Sequence, residues 1–427
     1  MEPKIRFKGF EGEWKEYSLG ELGSIYSGIG FPECEQGGRS GIPFYKVSDM
    51  NNQGNESIML SSNNYVSDNQ IQRNHWKICS ETPAIFFAKV GAAVMLNRKR
   101  IVLEPCLCDN NTMMFSLSKD KWSTNFALPL FNNVDFPSLA QVGSLPSFNG
   151  SQVKEIKVKL PKFEEQEVVG KYFTTLDSQI SASTSRLASL KQMKAASLQA
   201  MFPQEGETVP KIRFKGFEGE WKKVKLGDIA KFTKGQGYSK SDLKETGQPI
   251  ILYGRMYTKY QFVIDEVDTF ANLKDASILS EGDEIIMPAS GETPEDIACA
   301  SAVLAKDIIL GGDLNIMHFD LTKISTPYIA LVITYSKTHH DLSKCAQGKS
   351  VVHLHNGAIS KAIISLPSLA EQQAIASYFT SLDRQISLQS QRLEKLKQIQ
   401  GRRIKLRCPP KVLIGTLHPS LPSIFSG

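Results

Sequence analysis

The stretch PKIRFKGFEGEW occupies residues 3–14, and the same twelve residues return unchanged at 210–221. Beyond both copies the chain keeps the same offset of 207, so that YSGIGF around Gly28 lies opposite FTKGQGY around Gly235. Similarity at one fixed period indicates a duplicated structural unit. The sequence therefore predicts two halves that share one architecture.

The similarity becomes strong again where each half ends. EEQEVVGKYFTTLDSQI at residues 164–180 aligns with AEQQAIASYFTSLDRQI at residues 370–386, at an offset of 206. Each half therefore consists of a near-constant opening phrase, a body of roughly 140 residues that differs between the halves, and a near-constant closing segment. This pattern indicates a duplication whose two middle parts have diversified independently.

Composition is that of an ordinary globular protein. Of the 427 residues, 41% are hydrophobic and 22% are charged, which is compatible with sizeable cores. The formal net charge of +6 favours polyanionic partners only slightly. Because neither a signal-peptide pattern nor a long apolar run is found, we expect a cytoplasmic protein with no membrane association. The seven cysteines are scattered without a C-x-x-C pair, which indicates neither a disulfide framework nor a zinc site.

The two bodies have the pattern of mixed α/β domains. Short apolar runs such as PAIFFAKVGAAVML and DEIIMPAS are interrupted by Gly, Pro, Asn and Asp, which indicates strands joined by turns with some helix between them. The G-x-G sequences that begin at Gly28 and Gly235 lack the third glycine of a dinucleotide-binding motif. We attribute these glycines to turn geometry.

The closing segments have the pattern of long helices. Their apolar residues recur at alternating spacings of four and three, which keeps one seam facing a partner helix. Each seam carries a polar residue at the same repeat position, Ser183 or Gln389. A helix over residues 164–201 would extend roughly 57 Å. The predicted helix-pairing residues are Phe173, Leu176, Ile180, Leu187 and Leu190 in the first helix and Phe379, Leu382, Ile386, Leu393 and Leu396 in the second.

Two arrangements of these seams are open. Each helix could pack on its own body, as amphipathic helices commonly do, or the two helices could pair with each other. We favour antiparallel pairing because the two heptad seams match. The predicted fold class is then α+β, with two mixed α/β domains separated by two long antiparallel coiled-coil helices in a pseudo-twofold arrangement.

The domain boundaries follow from the repeat. We predict a first domain at 1–160, a central helix at 161–205, a second domain at 206–366 and a C-terminal helix at 367–407. Ser368 and Glu371 predict a capping box at the start of the second helix. The tail at 408–427 matches no part of the first half, and we expect it to be disordered.

No catalytic residue and no metal ligand is predicted. GKS at residues 348–350 lacks the earlier glycine of a phosphate-binding loop, since that position is Ser343. The histidines near residues 339 and 353 have no carboxylate or cysteine cluster at ligand spacing. The N/D-P-P-Y/F tetrapeptide with which amino-methyltransferases hold their target base does not occur. We therefore expect that this chain binds no cofactor and performs no catalysis.

Polar and basic residues interleaved with aromatic residues form two clusters in each body. Arg, Lys, Asn and Gln side chains can read base edges, and Lys, Ser and Tyr suit phosphates. A charged run is more often a solvated face, but recurrence at corresponding places in both bodies favours DNA contact. Tyr253, Gln347 and His355 belong to the same clusters. The candidate DNA-binding residues are Lys46, Ser48, Asn51, Asn52, Arg98, Lys99 and Arg100 in the first body and Arg255, Tyr257, Lys259, Lys349, Ser350 and His353 in the second.

From about residue 3 to about residue 400 the chain resembles the specificity subunits of type I restriction-modification systems. The resemblance rests on the duplicated FKGFEGEW, on EEQ and AEQ after a proline-containing hinge, and on YFTTLD and YFTSLD. In that family each variable body is a target recognition domain that reads one half of a split, asymmetric DNA sequence. The paired helices set the unread gap between the two half-sites.

The resemblance also implies the partners of the chain. They would be double-stranded DNA, modification (methyltransferase) subunits and restriction (translocase and nuclease) subunits. S-adenosylmethionine, ATP and Mg²⁺ would be bound by these partner subunits, and the chain itself would be non-catalytic. A self-sufficient modification or restriction enzyme would need a methyltransferase or nuclease motif, which is not found. The remaining alternative is a protein-interaction scaffold built on the coiled coil, which would lack the salt-dependent affinity typical of DNA binding.

Overall fold

The computed structural model describes residues 6–140, 145–348 and 350–403. They form two compact units, the first with the chain up to residue 182 and from residue 393 onward, and the second with residues 183–392. Each unit therefore includes the beginning of one long helix and the end of the other. The predicted tail and the candidate Lys349 lie outside the described residues.

The first unit contains a mixed α/β domain followed by a long helix. Its strands are β1 (Lys15–Ser18), β2 (Gly23–Ser27), β3 (Ile42–Tyr45), β4 (Tyr65–Val66), β5 (Ala84–Ala88), β6 (Lys99–Val102), β7 (Leu107–Cys108), β8 (Thr112–Leu117) and β9 (Lys157–Leu160). Its helices are α1 (Leu19–Leu22), α2 (Asp68–Arg73), α3 (Thr124–Phe131), α4 (Gly150–Glu155) and the beginning of α5 (Phe163–Ala200).

Two sheets organise this domain. Strands β2, β8, β5 and β6 form an antiparallel sheet in that order, and β4, β3 and β7 form a smaller one. All five residues of β5, AIFFA, are buried, as expected of a central strand covered on both faces. Strand β1 pairs with β9, which brings the start of the domain beside the strand that leads into α5.

The second unit contains the other mixed α/β domain. Its strands are β10 (Lys222–Lys225), β11 (Ala230–Lys234), β12 (Leu243–Lys244), β13 (Gln248–Ile251), β14 (Val263–Ile264), β15 (Phe270–Ala271), β16 (Glu284–Pro288), β17 (Ser290–Gly291), β18 (Ser301–Val303), β19 (Ile309–Leu310), β20 (Leu314–Phe319), β21 (Val352–His353) and β22 (Ile363–Leu366). Its helices are α6 (Leu226–Ile229), α7 (Arg255–Thr258), α8 (Pro294–Ile297), α9 (Thr326–Tyr335), α10 (Lys337–Cys345), α11 (Asn356–Ile359) and the beginning of α12 (Leu369–Arg403).

The sheet topology of the first domain recurs in the second. Strands β11, β20, β16 and β18 follow the order of β2, β8, β5 and β6, and β14 is added at the edge. The parallel pair of β3 with β7 has its counterpart in β13 with β19, and β10 with β22 repeats β1 with β9. The mixed α/β character predicted for both bodies is confirmed.

The first glycine of each G-x-G sequence has a different role from the predicted one. A Cβ atom on Gly28 would lie 1.8 Å from the carbonyl oxygen of Asp109, and one on Gly235 would lie 2.0 Å from that of Gly311. Neither distance is possible for a real side chain. These glycines are therefore required by close approach of the backbone, not by turn geometry.

The repeated opening phrase binds the first turn of the long helix in its own half. The Arg6 guanidinium donates two hydrogen bonds to the Glu165 carboxylate, at 2.8 and 2.6 Å. Arg213 bonds Glu371 in the same bidentate way, at 2.6 and 2.7 Å. Both carboxylates are buried. The same guanidinium groups also donate to carbonyl oxygens within the phrase, those of Glu11, Gly12, Glu218 and Gly219.

The glutamine that follows each of these glutamates fixes the helix start from the other side. Gln166 Nε2 donates to the Lys121 carbonyl at 3.0 Å, and its Oε1 accepts from the Ser123 backbone N–H at 3.1 Å. Gln372 repeats both bonds with Lys323 and Ser325, at 3.2 and 2.9 Å. Opening phrase, domain and helix therefore meet at one Glu-Gln pair in each half.

The predicted capping box at the second helix forms only in part. The Glu371 backbone N–H donates to Ser368 Oγ at 3.4 Å. The Glu371 carboxylate, however, is engaged by Arg213. A charge-assisted bidentate pair is stronger than a bond to one neutral backbone N–H, so the carboxylate does not complete the reciprocal bond of a capping box.

The seam residues of both long helices are buried or half-buried. Phe173 lies in the core of the first domain and Phe379 in that of the second, so the first turns of each helix pack on their own domain. The remaining predicted seam residues are Leu176, Ile180, Leu187, Leu190, Leu382, Ile386, Leu393 and Leu396. None of the helices in the described ranges has the length and apolar character needed to cross a membrane.

Further along, side chains of one helix bond to the other. Within the second unit, Gln389 Nε2 donates to the Ser183 carbonyl at 3.2 Å, and Lys194 lies 2.6 Å from Asp383. Residue numbers rise along one helix as they fall along the other, so these segments run antiparallel. The polar residues of the two seams are thus partners, and both are buried. Within the first unit, Gln400 Nε2 donates to Asp177 Oδ1 at 2.8 Å.

Candidate nucleic-acid interface

The structure brings the two candidate clusters of the first domain together. The Arg98 guanidinium donates to Asn51 Oδ1 at 2.6 Å, and both residues are exposed. Asn51 ends a short 3₁₀ helix that follows β3, and Arg98 directly precedes β6. The loop after one sheet and the strand entry of the other therefore form one polar surface. Among the other candidates near this surface, Ser48 is exposed, and Lys46 and Asn52 are half-buried.

Lys99 and Arg100 require a correction. Lys99 is only 2% exposed, and its ammonium donates to Asn97 Oδ1 at 2.6 Å and to the Val134 carbonyl at 2.7 Å. Burial lowers the pKa of Lys99 to about 7. The Arg100 guanidinium donates to the backbone carbonyls of Asn55, Lys99 and Met50. Lys99 therefore lies in the interior of the domain, away from any surface that DNA could contact, and the half-buried Arg100 guanidinium is engaged by carbonyls of its own domain.

In the second domain, two candidates share one carboxylate. Arg255 Nη1 lies 2.5 Å from Asp268 Oδ1, and Lys259 Nζ contacts the other oxygen of the same group. Hydrogen bonds from Lys259, which has the larger effect, and from Arg255 lower the pKa of Asp268 to about 2. The Arg255 side chain is only 9% exposed, whereas Lys259 is exposed. Asp268 offsets part of the positive charge that these residues would present to a phosphate.

The second cluster of this domain lies around strand β21. Strand β21 pairs with β17, with His353 opposite Ser290 and Val352 opposite Gly291. Ser350 and His353 are exposed. The ring of Tyr257 lies 3.8 Å from the place that a Cβ would occupy on Gly291. Tyr257 of the first cluster therefore lies beside β17, the strand with which His353 of the second cluster pairs.

Sequence reasoning missed one basic residue near the corresponding place in the first domain. Lys89 follows β5, and its Nζ donates to Ser27 Oγ at 2.7 Å. The Phe148 backbone N–H donates to the Lys89 carbonyl, as that of Leu354 does to Ala289. Lys89 and Ala289 are thus equivalent positions. The sequence signal for this residue was a lysine in the first half where the second half has an alanine. That difference becomes visible only when the strands of the two domains are aligned.

The two surfaces offer hydrogen-bond donors, acceptors and positive charge, the groups that nucleic-acid contacts use. They do not offer metal coordination. In the ranges that the structure describes, no three His, Cys, Asp or Glu side chains are placed to hold a metal ion. The geometry is therefore that of a binding surface in each domain.

Comparison with known proteins agrees with this organisation. The sequence model of the family described as type I restriction modification DNA specificity domain matches residues 11–192 and, a second time, residues 218–398. The two matches cover most of the chain, one in each half. The chain belongs to this family. In the type I specificity family, this chain thus carries two copies of the domain.

Curated relatives carry corresponding descriptions. The chain is similar to the type I restriction enzyme MjaVIII specificity subunit of Methanocaldococcus jannaschii, with 20% identity over 286 residues, 64% of this chain and 66% of that protein. It is also similar to the putative type I restriction enzyme MjaX specificity subunit of the same organism, with 21% identity over 285 residues, 63% of this chain and 62% of that protein. The chain thus spans just under two thirds of the length of these relatives.

A solved structure supports the fold. The type I restriction-modification system S subunit from M. genitalium superposes with a TM-score of 0.57 at 13% identity, over 95% of this chain and 98% of that chain. At this identity the likeness concerns the fold alone. It places this member of the type I specificity family in the same fold as that S subunit.

Proposed function

We propose that the chain is the non-catalytic DNA-recognition subunit of a type I restriction-modification complex. Each of its two domains reads one half of a split, asymmetric target. The observation that supports this most directly is the duplicated family match, which covers one half of the chain each time. The polar surfaces around Asn51 and Arg98 in one domain and around Tyr257 and His353 in the other are the candidate contact regions.

We propose further that the two long helices pair as an antiparallel coiled coil and set the gap between the half-sites. The cross-helix bonds of Gln389 with Ser183 and of Lys194 with Asp383 support this pairing. Helix α5 has 38 residues, a length of roughly 57 Å. Two half-sites on one face of DNA lie about 34 Å apart, one helical turn, which is within the span of such a spacer.

The same helices are proposed to dock modification subunits. The apolar side chains of these helices that stay exposed in the chain are the ones available to such a partner. S-adenosylmethionine, ATP and Mg²⁺ belong to the modification and restriction subunits in this proposal. The exposed residues in question are Val168, Met193, Leu388 and Ile399.

The scaffold alternative is not favoured. Both family matches include the variable bodies as well as the helices, whereas a scaffold built on the coiled coil would need the helices alone.

Methylome sequencing of a host that carries the chain with its modification and restriction subunits tests the proposal. We expect methylated adenines in a target made of two unlike half-sites separated by one fixed gap. The matched control is the same host without this chain. Methylation that is unchanged by removal of the chain, or that follows a single continuous motif, would contradict the proposal.

A further inference from the structure

We propose that the second domain reads purine bases of its half-site with one face of the β-bridge between Gln347 and His353, extended to His355. The side chains that carry the reading are Gln347, His353 and His355. This inference rests on the proposed function, because it names the base-contacting residues of one domain. Three features support it: the register of the strands, the alternation of side chains along β21, and the lack of hydrogen-bond partners for these three side chains among the described residues.

Register places Gln347 and His353 directly opposite each other. The Gln347 backbone N–H donates to the His353 carbonyl at 3.0 Å, and the His353 N–H donates to the Gln347 carbonyl at 2.8 Å. Residues that exchange both bonds in an antiparallel pair project their side chains to the same face. Gln347 and His353 are both exposed, so this face of the bridge is open to solvent.

Alternation places His355 on the same face. Leu354, between the two histidines, is fully buried, and its backbone N–H donates to the Ala289 carbonyl at 2.9 Å. Both histidines are exposed. Their rings are nearly parallel, at 6° with centroids 6.1 Å apart. Two imidazoles arranged side by side in this way do not converge on one point, which is unfavourable for a shared metal ion.

The spacing of these side chains matches DNA. Residues i and i+2 of a strand lie about 6.6 Å apart, and two base-pair steps along one DNA strand span about 6.8 Å. A two-stranded ribbon fits into the major groove. Pairing of β21 with β17 fixes His353 on the domain. Side chains on a paired strand are positioned more precisely than side chains on a free loop.

Chemistry favours purines. Guanine and adenine both present the N7 acceptor in the major groove, and glutamine can bond adenine through N6 and N7 together. An imidazole N–H can donate to the same N7 atom. In the part of the chain that the structure describes, none of these three side chains has a hydrogen-bond partner, whereas Arg255 and Lys259 are both engaged by Asp268.

The first domain differs at the equivalent positions. The bridge between Val90 and Ser147 corresponds to the pairing of Ser290 with His353. Asn149, at the place of His355, caps α4 by accepting from the Gln152 N–H at 3.0 Å. The histidine face is therefore particular to the second domain. We expect its contacts to affect the second half-site alone.

The test measures affinity of the full chain, co-expressed with its modification subunits, for its own target. Purines of the second half-site are replaced one at a time by 7-deazapurines, which lack N7. The wild type should lose affinity by about 5- to 100-fold at the contacted base. His353→Ala and His355→Ala should each bind the natural target more weakly by a similar factor, and each should lose no further affinity when the base that the replaced histidine contacts is the deaza analogue. Deaza substitution in the first half-site should affect wild type and variants equally.

His340→Ala is the matched control, because His340 is an exposed histidine of the same domain on α10. It should bind like the wild type. If the histidine variants discriminate the deaza base as the wild type does, this inference is wrong although the proposed function stands. If the wild-type complex shows no sequence-specific target at all, the proposed function fails first.

Discussion

Arg98 and Lys99 are neighbours in the sequence but have opposite environments. Arg98 is exposed and donates to Asn51, whereas the Lys99 ammonium lies inside the domain on Asn97 and Val134. The cause is the alternation of strand side chains, since successive residues point to opposite faces. A run of three basic residues therefore divides between surface and core, and the sequence run does not indicate which residue is buried.

This difference predicts the outcome of two substitutions. Arg98→Ala should weaken DNA binding by the complex and reduce the slope of log affinity against log salt by about one unit, the loss of one phosphate contact. Lys99→Met should leave that slope unchanged. The measurement is a salt titration of DNA affinity for the wild type and both variants. Equal losses of slope in both variants would show that Lys99 contacts a phosphate as well.

Glu284 predicts a pH dependence of stability. It is 1% exposed on β16, and burial raises its pKa to about 7, an effect that nearby backbone N–H groups offset only in part. The folded state therefore binds this proton more tightly than the unfolded state does, so stability falls as pH rises from about 4.5 to 7 and stays lower above that. Glu284→Gln should stabilise the second domain at pH 8 by about 1–3 kcal/mol and have little effect at pH 4.5.

Hydrogen exchange of the β16 segment in increasing urea, at both pH values, measures this difference. The control is Glu295→Gln, because Glu295 is exposed in the same domain and does not act on the pKa of Glu284. A Glu284→Gln variant that is less stable than the wild type at pH 8 would mean that the carboxylate has a favourable partner when ionised.

At the scale of elements, the opening phrase functions as a clamp on a helix start. Glu371 is 1% exposed and its carboxylate is paired with Arg213. Removal of one partner of a buried pair leaves an uncompensated charge. Arg213→Met should therefore destabilise the second unit by about 2–4 kcal/mol, and the double variant with Glu371→Met should recover much of that loss.

Protection of the first turns of α12 against hydrogen exchange measures the effect of the clamp. Lys215→Met is the matched control, because Lys215 is an exposed cation of the same phrase. If Arg213→Met and Lys215→Met have the same small effect, the phrase is not what fixes the helix start.

The helices and strands were predictable from patterns and repeats in the sequence. The hydrogen-bond partners of individual side chains were not. Helices α5 and α12 follow from the heptad spacing, and the α/β bodies follow from short apolar runs between turn residues. The pairing of Arg6 with Glu165 joins residues 159 positions apart, and nothing in local periodicity indicates such a contact. The sequence signal for this contact was the presence of the same Arg and the same Glu-Gln pair in both halves. This repetition indicates that the residues are needed, but it does not show that Arg binds Glu.

The candidate site was predictable in composition and not in detail. The clusters around Asn51 and Arg98 meet in the structure, and Tyr257 lies beside the strand that pairs with His353. Which members face solvent depends on strand register and on internal carbonyls that compete for the cations. Arg100 illustrates this, because its guanidinium is directed to backbone oxygens of a loop some fifty residues earlier in the chain.

At the scale of the whole molecule, the central claim is that each domain reads its own half-site independently while the helices fix the gap. Within each unit the opening phrase, the domain and the helix start are joined by the same Arg-Glu and Gln contacts. A body inserted between these constant segments should therefore keep its attachment. Exchange of one body should alter one half of the target.

The most direct measurement is methylome sequencing of a host in which residues 24–145 are replaced by the corresponding body of another family member, with all other subunits unchanged. We predict that one half-site changes while the second half-site is retained and the gap stays the same. A change in both half-sites would contradict independent reading by the two domains, and a change in the gap would contradict the role of the helices as spacer.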